Sequence, residues 1–214
     1  MHFAKTLLAV GALVLSSLVC HASDFSFTGN FSNINDVQLF NFTVGSGSNV
    51  VLHSYGYAGG TNAAGTIIAR GGFDPILALF QGTGASAIQI GQNDDGACGS
   101  VAADAVTGQC YDTYLALSGL APGTYTVSIQ DYANFANGPT LGAGFTGGAL
   151  TGGTFIDATG NNRTNRWAFD VLGVQSATTP PTNTPVPEPS TIALLGSGVL
   201  GLAKLLRRPN RLTA

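Results

Sequence analysis

The chain has 214 residues, 9% of them charged, and a formal net charge of −3. That figure hides an asymmetry: between positions 23 and 185, Arg70, Arg163 and Arg166 stand against ten aspartates, a balance of −7, with no lysine or glutamate. A segment so poor in cations excludes phosphate-directed nucleic-acid binding. The same segment holds one histidine, His53, and two cysteines, too few for a four-ligand zinc site.

Residues 1–22 read as a secretory signal. Lys5 supplies the positive start, residues 7–19 are apolar, and Cys20-His21-Ala22 puts the small Ala22 at the cleavage position, so signal peptidase leaves Ser23 first. Residues 23–174 then follow period two, with turn signals such as Gly71-Gly72, Gly82-Thr83-Gly84 and Asp95-Gly96 between short runs. Phe25 and Phe27 start a first strand. A second covers 36–44, with Phe40, Phe42 and Val44 in phase and a bulge expected near Leu39. Others fall at 49–57, 66–70, 76–81, 87–92 and 112–117. In 124–130, Tyr125, Val127 and Ile129 point inward while Thr124, Thr126 and Ser128 point outward. Trp167, Phe169 and Val171 alternate in the last strand. About nine strands without helical periodicity predict an all-β, antiparallel β-sandwich of jelly-roll type. The Gly-rich stretch 134–164 reads as a long loop with one strand near Phe145 or Phe155.

Cys98 and Cys110 are an even pair in an exported chain and predict one disulfide. Asn93, Asp94, Asp95 and Gly96 group hard oxygens in a turn, with Asp74, Asp104 and Asp112 near in sequence. Two readings stand side by side. Calcium takes about six to eight such oxygens, and Asn93, Asp94, Asp95, Asp74 and Asp112 are its candidate ligands. Equally, Asn-Asp-Asp-Gly is ordinary turn chemistry. Tyr55, Tyr57, Tyr132 and Phe135 either stack on sugars or belong to the core. A hydrolase would need a nucleophile beside a base, and His53, the one imidazole of the mature domain, lies in a strand. Aspartate pairs remain as the acid/base alternative. No catalytic residue is assigned, and the expected role is non-enzymatic.

Residues 175–185, rich in Thr and Pro, read as an extended spacer. Then come Val186, Pro187, Glu188, Pro189 and Ser190, an apolar run to Leu206, and a basic tip with Lys204, Arg207, Arg208 and Arg211. As a helix the run spans about 25 Å, slightly short of a bilayer core, and the flanking cations snorkel to let it fit. They hold the tip on the cytoplasmic side and leave everything before it outside. The two prolines keep the preceding segment extended and accessible.

The polar motif, short span and Arg-rich end over 186–211 resemble the PEP-CTERM sorting signal of Gram-negative bacteria. That resemblance implies processing by an exosortase, a membrane transpeptidase-like enzyme, and delivery to the cell envelope or to the extracellular polysaccharide of a biofilm. A second resemblance rests on three stretches: Gly72-Phe73-Asp74-Pro75 with the apolar run after it, Gln92-Asn93-Asp94-Asp95-Gly96, and Leu120-Ala121-Pro122-Gly123-Thr124-Tyr125. Over about 24–173 the chain is similar to the bacterial pre-peptidase C-terminal domain, a β-sandwich appended to secreted enzymes, and closer still to PEP-CTERM proteins of unassigned function with the same layout. Here it stands without a catalytic partner on the chain. The expected function is therefore a surface or matrix protein, with a calcium- or carbohydrate-binding module as the alternative and an aspartate-dependent envelope hydrolase behind it.

Overall fold

The computed structural model describes residues 22–147 and 153–180. All but the last residue of the signal read over 1–22, the end of the spacer and the sorting signal at 186–211 lie outside the described residues. Eleven strands are present among those described: β1 (Ser23–Asn30), β2 (Val37–Val44), β3 (Ser48–Ser54), β4 (Gly60–Thr61), β5 (Ile67–Ile68), β6 (Pro75–Gln81), β7 (Ile88–Asn93), β8 (Tyr114–Leu120), β9 (Gly123–Asp131), β10 (Arg166–Val174) and β11 (Ser176–Thr178). One sheet has the order β1-β10-β3-β8 and the other β11-β2-β9-β6-β7, while β4 and β5 form a small ribbon.

The pairing is antiparallel throughout and nested. β6 pairs with β7, β3 with β8, β2 with β9 and β1 with β10. The chain is thus one long hairpin rolled up so that its arms alternate between two sheets, which is the jelly-roll order. Period-two alternation explains the core. Phe40, Phe42 and Val44 of β2, Tyr125, Val127 and Ile129 of β9, and Leu77 and Leu79 of β6 meet Val50 and Leu52 of β3 and Phe169 and Val171 of β10. One end is aromatic: Phe31 stacks on Phe73 at 5.0 Å, and Phe40 meets Trp167 edge-on at 5.6 Å. Gly29 lies opposite Trp167 in the β1–β10 ladder, and a side chain there would occupy the indole's place.

Four details differ from the sequence reading. The β2–β9 register is unbroken from Val37 to Val44, so there is no bulge at Leu39, whose side chain simply points to the other face. That face is not bare: Thr126 and Ser128, expected outside, are buried. The Gly-rich segment after β9 covers it, packing Ala136, Leu141 and Phe145 on Ala78, Phe80 and Ala87. Within that segment the described residues hold a short 3-10 turn, Leu141–Ala143, and isolated bridges at Ala136–Phe145 and Ile156–Asn162 instead of a strand. Finally, the stretch read as spacer begins with β11, which pairs with β2 and buries Ala177.

The Cys98–Cys110 disulfide is formed, with Cα atoms 5.4 Å apart. It closes a loop between β7 and β8. Asp104 fastens this loop to the preceding lobe by accepting hydrogen bonds from Arg70 Nε and Nη2 at 2.8 and 2.7 Å.

Candidate functional site

Three neighbouring strands of one sheet deliver carboxylates to the same end of the sandwich. Asp74 immediately precedes β6. Asp94 and Asp95 immediately follow β7, and because β6 and β7 run antiparallel, with Leu77 opposite Asn93, the start of one lies beside the end of the other. Carboxylate oxygens of Asp74, Asp94 and Asp95 come within 4.8 Å of one another. On the opposite side of β6, Asp131 ends β9 directly across from Pro75, and the Tyr132 N–H donates to the Asp74 carbonyl at 2.9 Å. Gly96 closes the turn because its backbone runs against β8: its N–H donates to the Asp112 carbonyl, and a Cβ there would lie 2.9 Å from that oxygen.

The cluster is short of donors. Asp74 is 1% exposed, yet its Oδ1 accepts no hydrogen bond and its Oδ2 takes only a long one, 3.4 Å, from the Ala158 N–H. Asp94 Oδ1 and Asp131 Oδ1 are likewise buried without a partner. Burial, and then the charge of Asp95, push the Asp74 carboxyl up to about 8. The same two causes take Asp94 to about 6, and burial raises Asp95. Burial moves Asp131 to about 8 against the Tyr132 N–H. Tyr111 is raised by burial and then by the charges of Asp74 and Asp95.

Most other buried aspartates are better supplied; Asp170 also leaves Oδ1 without a partner, but its Oδ2 accepts from the Ala63 N–H at 2.7 Å. Asp112 accepts from the Ser54 hydroxyl at 2.8 Å and from the Tyr57 and Ala58 N–H groups at 3.1 and 2.8 Å. Asp157 accepts from the Tyr57 hydroxyl, Thr159 and Asn161. Of the residues grouped from sequence, then, Asp74, Asp94 and Asp95 meet, whereas Asp112 holds the turn after β3. Asn93 braces its own turn, its amide donating to the Asp95 carbonyl and its oxygen accepting from the Tyr114 N–H. Sequence reasoning passed over Asp131. Its signal was strand pairing: it ends the strand that lies beside the one Asp74 introduces.

His53 is elsewhere, on the outer face of the other sheet, between the rings of Tyr55 and Tyr114 at 4.1 and 5.2 Å. Burial lowers its pKa, partly offset by Asp170 across the ladder. Tyr57, read as a possible sugar platform, is fully buried, with the Arg163 guanidinium 3.6 Å from its ring centre. Tyr132 and Phe135 pack edge-on against each other at 5.7 Å. An open groove of about 450 Å³ runs along β1 and β10, lined by Thr28, Asn30, Ile67 and Arg166 among others.

Comparison with known proteins bears on the C-terminal end. Residues 185–208 match the PEP-CTERM protein-sorting motif. PEP-CTERM signals are processed by exosortases, so the match implies a membrane-transiting substrate sorted to the cell envelope or extracellular space. No curated protein matches the chain.

Proposed function

We propose that the protein is a non-catalytic β-sandwich of the cell surface or the extracellular polysaccharide matrix, brought there through its C-terminal signal. The sorting-motif match at 185–208 carries this reading. Several features support it. The anionic, lysine-free composition of the mature region suits a protein that spaces and associates instead of binding nucleic acid. Both of its cysteines are committed to the disulfide, and its imidazole is packed between tyrosine rings. The resemblance to pre-peptidase C-terminal domains fits an accessory sandwich, and the groove along β1 and β10 offers amide, hydroxyl and guanidinium groups to a sugar chain.

The test is mass spectrometry of the protein recovered from its host, fraction by fraction, with and without Glu188→Ala. The expected wild-type product begins near Ser23, lacks the basic tip and sits in the envelope or matrix; the variant keeps its tail and stays with the inner membrane. A cytosolic protein with both ends intact overturns the proposal. So does turnover of host glycans or peptides by the exported protein.

A further inference from the structure

We infer that Asp74, Asp94 and Asp95, backed by Asp131, form a calcium site. Two sets of buried aspartates differ in what surrounds them. Where Asp104, Asp112 and Asp157 are enclosed, the fold surrounds them with N–H, hydroxyl or guanidinium donors. At the end of β6, β7 and β9 it does not. Asp74 and Asp131 are each 1% exposed, and each leaves Oδ1 without a partner. A buried carboxylate without donors is costly unless something neutralises it. No protein cation does so: among the described residues both ion pairs, from Arg70 and Arg163, end on Asp104. A cation from outside, reached through the exposed Asp95, would supply the partner that these oxygens lack.

The donor chemistry selects the ion. All the side-chain ligands are carboxylate oxygens on turns that follow or precede strands, without nitrogen or sulfur. Zinc and copper favour imidazole and thiolate. Magnesium demands a near-ideal octahedron and keeps its waters, whereas calcium accepts irregular sets of carboxylates, backbone carbonyls and water. Asn93 is a turn brace in this arrangement, and Asp112 takes no part in it. The inference stands apart from the sorting of the chain, so failure of either leaves the other intact.

The test uses the full chain purified in detergent with its disulfide oxidised. Terbium luminescence, sensitised by Tyr111 and Tyr132, reports occupancy directly, and calcium chloride titrated against it gives the calcium affinity. Saturable terbium binding is expected, displaced by calcium at lower concentration than by magnesium, together with a melting temperature that rises with calcium and returns with chelator. Asp95→Asn removes the exposed member and leaves the buried ones in place; it is expected to keep the fold and weaken calcium binding by at least about tenfold. Asp74→Asn removes the central ligand; should it fail to fold, Asp95→Asn alone decides. Asp24→Asn, far away on β1, is expected to change nothing. Unsaturable binding, or Asp95→Asn binding calcium as the wild type does, overturns the inference.

Discussion

Asp104→Asn is the most searching test of how the loop closed by the disulfide is held. In the wild type the carboxylate is enclosed and accepts from Arg70 at 2.7 and 2.8 Å and from the Val106 and Thr107 N–H groups at 3.0 and 2.9 Å, with Arg163 Nη2 3.6 Å away. Asparagine keeps the shape and one acceptor but removes the charge. Arg70, whose side chain is 39% exposed, can turn to water; Arg163, at 2%, cannot, and stays buried against the Tyr57 ring with its main anion gone. Breaking a buried pair costs about 3–5 kcal/mol. The retained acceptor and the mobility of Arg70 place this change near the lower end, about 3 kcal/mol. With a urea slope of about 2 kcal/mol/M, the midpoint falls by about 1.5 M at pH 7. The pH dependence follows from the charge. Burial pushes the Asp104 carboxyl up, but the Arg70 hydrogen bonds and the two backbone donors outweigh it and hold the carboxyl well below its usual range. A depressed carboxylate contributes stability above its unfolded value of about 3.9, and that contribution is lost as pH falls toward the folded value. The gap between wild type and variant is therefore full at pH 7 and narrows below about pH 4. Urea titrations at pH 7 and pH 3 measure both. An unchanged midpoint at pH 7 refutes the account, and a deficit of equal size at both pH values shows that shape, and not charge, is what Asp104 supplies.

Two further predictions concern the scaffold. Reducing Cys98–Cys110, or changing Cys98 to Ser, is expected to lower stability by about 3 kcal/mol, as the chain-entropy model gives for so short a loop; urea midpoints with and without reductant measure this. Gly29→Ala puts a methyl group into the space held by the Trp167 indole and is expected to cost about 1–3 kcal/mol. A blue-shift or intensity change of the protein's single tryptophan, together with a lower melting temperature, reports it.

The core was legible because alternation is a local property. Tyr125, Val127 and Ile129 had to share a face once 124–130 was a strand, and Phe40, Phe42 and Val44 likewise. The burial of Thr126 and Ser128 was not legible, because what covers them is the segment carrying Leu141 and Phe145, which has no period of its own. β11 escaped for a related reason: Ser176, Ala177 and Thr178 are polar or small, and their strand character comes from the open edge of β2. At the acidic cluster, proximity in sequence pointed to Asn93, Asp94 and Asp95, while Asp74 joins them through the β6–β7 hairpin and Asp131 lies alongside through β9. Asp112 has the same chemistry as Asp94 but lies at the end of a different sheet's approach, where Ser54 and two N–H groups await it. Residue type indicated the chemistry; antiparallel pairing decided which residues could share it.

Compartment ties these features together. Residues 94–112 join the two sheets and have four fastenings when the inferred calcium site is counted: that site at the start, the disulfide across the loop, Asp104 on Arg70, and Asp112 on the turn after β3. The last two need only the folded chain. A disulfide persists in oxidising surroundings outside the cytosol, and extracellular calcium modules work at affinities of about 10⁻⁴–10⁻³ M, far weaker than a cytosolic site requires. A chain that stayed inside would hold this connection by half its fastenings. Export supplies the other half. With calcium at the inferred site, the sorting signal at one end and the acidic cluster in the middle answer the same condition: this connection would be completed where the signal takes the protein.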